Sequence, residues 1–338
     1  MTTFSKNCLG SLFLLALLLT LESFATVRIL TFHYNQPNFV EIQYKALRKF
    51  LLDDFELIVF NDAKTLENEK GIENVCNNYG IKCVRFKQEW HLTDPLNTYL
   101  QGRLQEPSTV GFWGWNANTT AEEISKAPSI RHSHVIQYAL DHYGYDHDDI
   151  VVIMDGDNFL IKPLSIRELL SSYDIVGFNQ LPDHLGKARR QLQAAVPQYH
   201  EMFWVVFIAF RPRELPNPRE LHFNVDVVTG QPLLPNNTMG DTGAAIYKYL
   251  QKYPDLKLKA YYWQDSGVYR EYFSYQELKE LEFSDSLICF IKNIGPGNVQ
   301  FFLFEHFMHF AAVSAEVADH ERKVHYLSKF MDDILDED

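Results

Sequence analysis

Apolar residues change their spacing several times along this chain, and each change marks an element. Val27–Phe32 is a short continuous apolar stretch with the length of a buried strand. Phe39–Leu52 sets its apolar residues at helical spacing, and Phe55–Phe60 is a second strand ending at Asn61-Asp62. Leu66–Tyr79 reads as helix again and Lys82–Phe86 as a third strand. A β-α-β-α-β succession implies a parallel sheet with helices on its faces. Trp90–Pro128 breaks the pattern with Gly102, Gly111, Gly114, three tryptophans and many polar residues. It reads as a long loop or excursion, and loops of that length in compact domains are usually functional. Ser129–Tyr143 is predicted as a helix closed by Gly144, and Asp149–Met154 as an aliphatic strand running straight into Asp155-Gly156-Asp157. A short helix over Ser165–Ser172 and a strand over Asp174–Phe178 complete this half.

The second half is less regular. Phe203–Phe210 is a strand, Arg211–Pro218 a proline-rich turn, and Asp241–Leu250 a helix rising from Gly240-Asp241-Thr242-Gly243. Ile294–Val299 carries Gly295, Pro296 and Gly297 and leads into an extended Phe301–Phe310; Ala315–Ile334 is a charged amphipathic helix. The expectation is one α/β domain, with a mostly parallel central sheet flanked by helices and a more mixed second half.

Composition narrows what such a domain does. The chain has 338 residues, 46% of them hydrophobic and 14% aromatic, enough for a substantial core. Its formal net charge of -13, without a basic stripe, argues against nucleic acid as a partner. Lys6, the short apolar run Leu9–Leu21 and the small residues Ser23 and Ala25 around Phe24 describe a signal peptide or signal anchor over residues 1–25. The expectation is therefore a secretory or exported protein, with membrane association through that segment if it is not cleaved. Cys76 and Cys83 lie close enough in sequence to close a small disulfide loop, and reduced, buried cysteines at 76, 83 and 289 are the competing reading. Asn118-Thr119-Thr120 and Asn236-Asn237-Thr238 match the glycosylation sequon, which has meaning only in a eukaryotic secretory route.

The chemistry concentrates at Asp155-Gly156-Asp157. In an open parallel sheet, ligands gather at the carboxyl ends of the strands. Two carboxylates flanking a glycine there can face one hard cation, Mn2+ or Mg2+, and leave coordination positions for a substrate phosphate. An EF-hand loop starting at Asp155 is excluded, because Phe159, Leu160 and Ile166 occupy places that need an oxygen ligand, glycine and glutamate. An aspartyl-phosphate phosphatase motif is disfavoured by Phe159 and by the late position in the chain.

An aliphatic strand running into Asp-x-Asp resembles the signature of GT-A-fold glycosyltransferases, enzymes that use nucleotide sugars. The opening strand Val27–Phe32, Asp62 after the second strand, and the helix before Asp155 follow the order of that fold. The segment Phe304-Glu305-His306-Phe307-Met308-His309-Phe310 looks like the one that supplies a histidine to the metal and diphosphate. The resemblance implies residues 26–180 as the nucleotide-sugar half, 181–314 as the acceptor-side half and 315–338 as a C-terminal helix. It implies a UDP-sugar as donor and a glycan, lipid or protein hydroxyl as acceptor, in the Golgi or ER lumen if the host is eukaryotic.

On this resemblance Thr31, Phe32 and His33 wall the nucleobase, and Arg131 meets donor phosphate or sugar, unless it is a surface ion pair. Asp62 accepts hydrogen bonds from base or ribose, or else caps the turn after its strand. His132 and His134 face opposite sides of their helix and do not form a metal pair. His306 and His309 share a face only on a helix; on a strand one of them reaches the metal, and His309 is the choice. Asp241 is the candidate general base for inverting transfer, or simply a helix N-cap. Trp113, Trp115 and Trp204 offer either stacking surfaces for sugars or core packing. A phosphoester hydrolase on the same metal site, and a carbohydrate-binding protein with a structural metal, remain as alternatives.

Overall fold

The computed structural model describes residues 26–106, 109, 115–182, 203–228, 238–239, 242–294, 299–302, 306–310 and 320–336. The expected leader at 1–25, Asp241, Trp113 and the Gly295-Pro296-Gly297 turn lie outside the described residues. Among the described residues no helix is long and apolar enough to cross a membrane.

The first half follows the predicted alternation. Strand β1 (Val27–His33) leads to helix α1 (Pro37–Phe50), β2 (Phe55–Asn61), α2 (Leu66–Tyr79) and β3 (Lys82–Arg85). Each helix boundary has a local cause. Pro37 occupies the first turn of α1, where its missing N–H costs nothing. The Thr65 side chain accepts from Asn68 N to cap α2, and Gly80, at φ 66, ends it in the left-handed conformation.

The Trp90–Pro128 stretch is not the long loop expected. It holds helices α3 (Gln88–Thr93), α4 (Pro95–Leu104) and α5 (Ala121–Ser125). Asp94 caps α4 with Pro95 behind it, and Thr120 with Glu123 forms a complete capping box on α5. Next come α6 (Pro128–Ala139), extended by a π-helical turn over Leu140–Gly144, and strands β4 (Val151–Asp155) and β5 (Asn158–Leu160).

Strand β6 (Ile175–Pro182), β7 (Phe203–Phe210), the small pair β8 (Val227–Val228) and β9 (Thr238–Met239), and β10 (Leu258–Asp265) follow. The expected extended segment Phe301–Phe310 contains two antiparallel strands, β11 (Gln300–Phe302) and β12 (Phe307–His309). The second half is more regular than its sequence suggests, adding helices Ile246–Lys252, Ser266–Tyr272, Tyr275–Glu280, Asp285–Ile294 and His320–Asp336.

Ten strands form one sheet in the order β3-β2-β1-β4-β7-β6-β10-β11-β12-β5. From β3 to β10 only β7 runs against the rest. This is an α/β fold with a mostly parallel centre and a mixed far edge, as the residue pattern predicts. Central strands of a sheet covered by helices are buried on both faces, whatever their direction, which explains why Ile150–Met154 of β4 and Val205–Phe210 of β7 are continuously apolar and buried. One core lies between the sheet and α1, α2 and the C-terminal helices; the second lies under α6 and Ile246–Lys252. Cys76 and Cys83 are free thiols, and Cys289 is exposed rather than buried.

Candidate functional site

Strand register assembles the site. Phe32 on β1 is paired with Asp155 on β4, and His33 with Asn61 on β2. The carboxyl ends of three parallel strands therefore set Phe32, His33, Asp62 and Asp155 along one sheet edge. Because β7 is antiparallel to β4, its amino-terminal residue Trp204 comes to the same edge. The chain turns through Gly156 and enters β5, whose Asn158 is paired with His309 of β12. Phe310 N donates to Asp157 O at 2.9 Å and completes that junction.

This junction brings Asp155, Asp157 and His309 together, with one ligand atom from each within 4.8 Å of the others. His309 Nε2 stands 3.3 Å from Asp157 Oδ1. Its Nδ1 lies 2.8 Å from Gln300 Oε1, so Nδ1–H donates to the amide oxygen and Nε2 is aimed at the carboxylates. Burial alone depresses the His309 pKa, but the charges of Asp157 and Asp155 and the Asp157 hydrogen bond outweigh it and leave the pKa raised. His309 lies in β12 with its Nε2 facing Asp157.

The turn is fixed from behind. Gln43, fully buried on α1, accepts from Thr31 Oγ1 at 2.7 Å and lies 3.3 Å from His33 Nε2. Its amide nitrogen donates to Asp155 O at 2.8 Å and Asn158 O at 2.9 Å. A Cβ on Gly156 would stand 2.5 Å from Phe32 O and 2.7 Å from His33 Nδ1, so only glycine fits between the two aspartates. Burial pushes the His33 pKa down to about 4, against the Gln43 hydrogen bond and the Asp157 charge, so the ring is neutral.

A cavity of about 690 Å³ opens at this edge, in the size range of small-molecule sites. Phe32, His33, Asp62, Arg131, Asp155 and Asp157 line it, together with Tyr34, His132, Trp204 and Thr242. Helix α6 presents Pro128, Arg131, His132 and Val135 to it from one face. Arg131 donates to Gln88 Oε1 at 2.5 Å, stands 3.4 Å from Asp62 Oδ2, and lies over the Tyr34 ring at 5.6 Å. It is thus neither a free surface charge nor a simple surface ion pair. The Trp204 ring meets His309 edge to face at 5.0 Å.

One expected wall residue is misplaced. Thr31 is fully buried and does not line the cavity. It shares a face of β1 with His33 but lies one pleat further from the sheet edge, beneath Gln43. Asp241 lies outside the described residues; the neighbouring Thr242 donates to Ser129 O at 2.9 Å and ties that turn to the start of α6.

Sequence reasoning overlooked four residues that hold the site. His132 Nε2 contacts Asp155 Oδ1 at 2.8 Å, while His134 turns away into the interior, so the two do face opposite sides. Gln43 and Gln300 anchor the turn and His309, and His91 bonds Asp62 at 2.7 Å. For His132 a signal existed, since it follows Arg131 on the helix before the Asp-Gly-Asp strand. A lone glutamine on an amphipathic helix carries none.

The sequence matches no protein-family model and no curated protein. Among solved structures it aligns with glucosyl-3-phosphoglycerate synthase from Mycobacterium tuberculosis in complex with Mn2+, UDP and glucosyl-3-phosphoglycerate. That alignment has 14% identity, a TM-score of 0.37, and covers 70% of this chain and 69% of that one. The same enzyme with Mn2+ and UDP-glucose aligns at 14% identity and TM-score 0.37, over 77% of this chain and 73% of that one. Likeness at this level assigns neither a family nor an activity to the chain.

Proposed function

We propose that this protein is a metal-dependent glycosyltransferase, of hexosyltransferase type, moving a sugar from a nucleotide-diphosphate sugar to an acceptor hydroxyl. The observation that carries this reading is the convergence of Asp155, Asp157 and His309 within 4.8 Å beside a cavity at the carboxyl edge of parallel strands. Two carboxylates and an imidazole already oriented by Gln300 suit Mn2+, or Mg2+ with less preference for the nitrogen. Such a cation, when bound, supplies neutralisation of charge on a leaving diphosphate.

The chain's own groups do the rest. Asp62, 7% exposed at the cavity wall, accepts an N–H or hydroxyl of the nucleoside. Arg131 brings a guanidinium to the same wall, matched to phosphate oxygens. Trp204 beside His309 gives a sugar ring an apolar surface next to the carboxylates. The acceptor, a glycan, lipid or protein hydroxyl, enters from the second half, where Asp241 is the candidate base for inverting transfer. The leader expected over residues 1–25 would direct the protein to a secretory or exported location.

Incubation with a panel of UDP- and GDP-sugars and Mn2+ tests the reading. Release of nucleoside diphosphate that requires the metal and increases with an acceptor supports it. Turnover of a phosphomonoester without any acceptor, and none of a nucleotide sugar, would favour a hydrolase and overturn it. Sugar binding without nucleotide affinity would point to a carbohydrate-binding protein instead.

A further inference from the structure

Away from the cavity, two thiols meet between α2 and the edge of the sheet. Ile72 and Cys76 lie one turn apart on α2 and are both fully buried, so they mark its inner face. In β3, Cys83 is paired with Val59 of β2 and packs with it on the core beneath α1 and α2, while Val84 turns to the opposite face. The Gly80 turn brings the chain back at once: Ile81 N donates to Cys76 O at 2.8 Å, and Gly80 N donates to Asn77 O at 3.3 Å. The two side chains therefore face each other, and their thiols are hydrogen-bonded.

The surroundings treat the two sulfurs differently. Cys76 is fully buried, whereas Cys83 is half-buried on a strand that pairs on one side only. The Asn61 amide and the Arg85 guanidinium lie near Cys83. Both are anchored to α2: Asn61 Nδ2 donates to Glu69 O at 3.0 Å, and Arg85 meets the Glu69 carboxylate at 3.0 Å. The hydrogen bond from Cys76, followed by Asn61 and Arg85, holds Cys83 below the usual thiol range in spite of its burial and the Glu73 charge. The same hydrogen bond, with burial, pushes Cys76 up. Cys83 is thus the thiol that ionises first, with Cys76 S–H donating to its sulfur. Among the described residues the pair belongs to no group of three metal-ligating side chains.

We propose that Cys76 and Cys83 form a disulfide-exchange site that staples α2 to the edge strand, with Cys83 as the attacking sulfur and Cys76 as the resolving one. The co-reactant is a small-molecule disulfide. The Cys83 thiolate attacks one of its sulfurs, the reagent's S–S bond breaks, and one thiolate leaves with the electron pair. Cys76 then gives up its proton and attacks Cys83 Sγ, the mixed disulfide breaks, and a second thiolate leaves. The protons of the two cysteines end on the two released thiols, so the protein is oxidised as the reagent is reduced. In the oxidising route that the expected leader implies, the bond is closed. The site does not rest on the transferase reading.

The test uses the full-length protein carrying Cys8→Ser and Cys289→Ser, which leaves Cys76 and Cys83 as its cysteines. The reduced protein is mixed with oxidised glutathione and followed by intact mass and peptide mapping. Both thiols are expected to disappear together, with Cys76 linked to Cys83 and no glutathione retained, and dithiothreitol restores them. Adding Cys76→Ser is expected to trap one glutathione on Cys83. Adding Cys83→Ser instead is expected to slow the reaction of the remaining thiol about tenfold or more. The bridged form should melt about 5 °C above the reduced form because of the loop it closes. Thiols that stay free, or that each keep a glutathione, overturn the exchange site. Cys76 reacting as fast as Cys83 in the two serine variants overturns the assigned order, and a bridged form that melts no higher than the reduced one overturns the staple. If Cys76→Ser does not fold, Cys76→Val, which suits the buried face of α2, reads the trapped adduct in its place.

Discussion

Replacing Gln43 with leucine removes the amide that ties β1 to the Asp155–Asn158 turn while keeping most of the side-chain volume. Four contacts vanish: Thr31 Oγ1 at 2.7 Å, His33 Nε2 at 3.3 Å, Asp155 O at 2.8 Å and Asn158 O at 2.9 Å. Little cavity is created, so the cost falls on the orphaned partners. Each buried polar group left without a partner costs about 1–3 kcal/mol. With the Thr31 hydroxyl and two carbonyls affected and some relaxation, the expected destabilisation is about 3–5 kcal/mol, which a domain of ordinary stability survives. The freed turn no longer presents its carboxylates in register, and Mn2+ affinity should fall by about tenfold to a hundredfold, as when outer supports of metal ligands are removed. Urea denaturation gives the first quantity and calorimetric Mn2+ titration the second. A stability loss below about 1 kcal/mol together with unchanged Mn2+ affinity would refute the role given to Gln43.

Three further outcomes are expected. Gly156→Ala forces a methyl to within 2.5 Å of Phe32 O; thermal melts should show a loss of about 1–3 kcal/mol, and Mn2+ binding should weaken, whereas wild-type behaviour in both would contradict the close approach. His309→Ala should lower Mn2+ affinity and flatten its pH dependence. The raised pKa of His309 means that at lower pH the cation must displace a proton, so wild-type affinity rises with pH, and an equally steep profile in the variant would assign the proton elsewhere. His33 and His134 are held neutral, with pKa values of about 4 and about 3. Unfolding frees both to titrate near about 6.5, so the unfolded state binds more protons and stability falls as pH drops from there toward 4. The slope approaches about 2.7 kcal/mol per pH unit for two protons, and the rise in His309 offsets part of it. Urea midpoints that do not change between pH 7 and pH 5 would contradict this.

The early alternation of elements was legible because buried parallel strands leave continuous apolar runs and amphipathic helices leave periodic ones. Leu66–Tyr79 matches its predicted limits for this reason, and Phe203–Phe210, antiparallel but central and buried on both faces, matches its own in the same way. The three helices between Gln88 and Ser125 were concealed by glycines and tryptophans, although Asp94-Pro95 and Thr120-x-x-Glu123 are local start signals. Strand β10 was missed because Leu258–Asp265 alternates weakly and finds its place only by pairing with β6. At the site, Asp155, Asp157 and His309 were readable from residue type and from the side a strand would present. The supports at Gln43, His91 and Gln300 were not readable, because each acts through a contact between elements more than eight residues apart. Thr31 went wrong by one pleat, a distinction set by where the strand ends against its neighbours.

The most direct measurement is calorimetric binding of UDP to the full-length protein with and without Mn2+, for the wild type and for Asp155→Asn/Asp157→Asn. The wild type should bind UDP in Mn2+ and lose most of that affinity when the metal is chelated, and the double variant should bind weakly under both conditions while remaining folded. UDP binding that ignores the metal, or a double variant that matches the wild type, would contradict a metal-held diphosphate at Asp155 and Asp157.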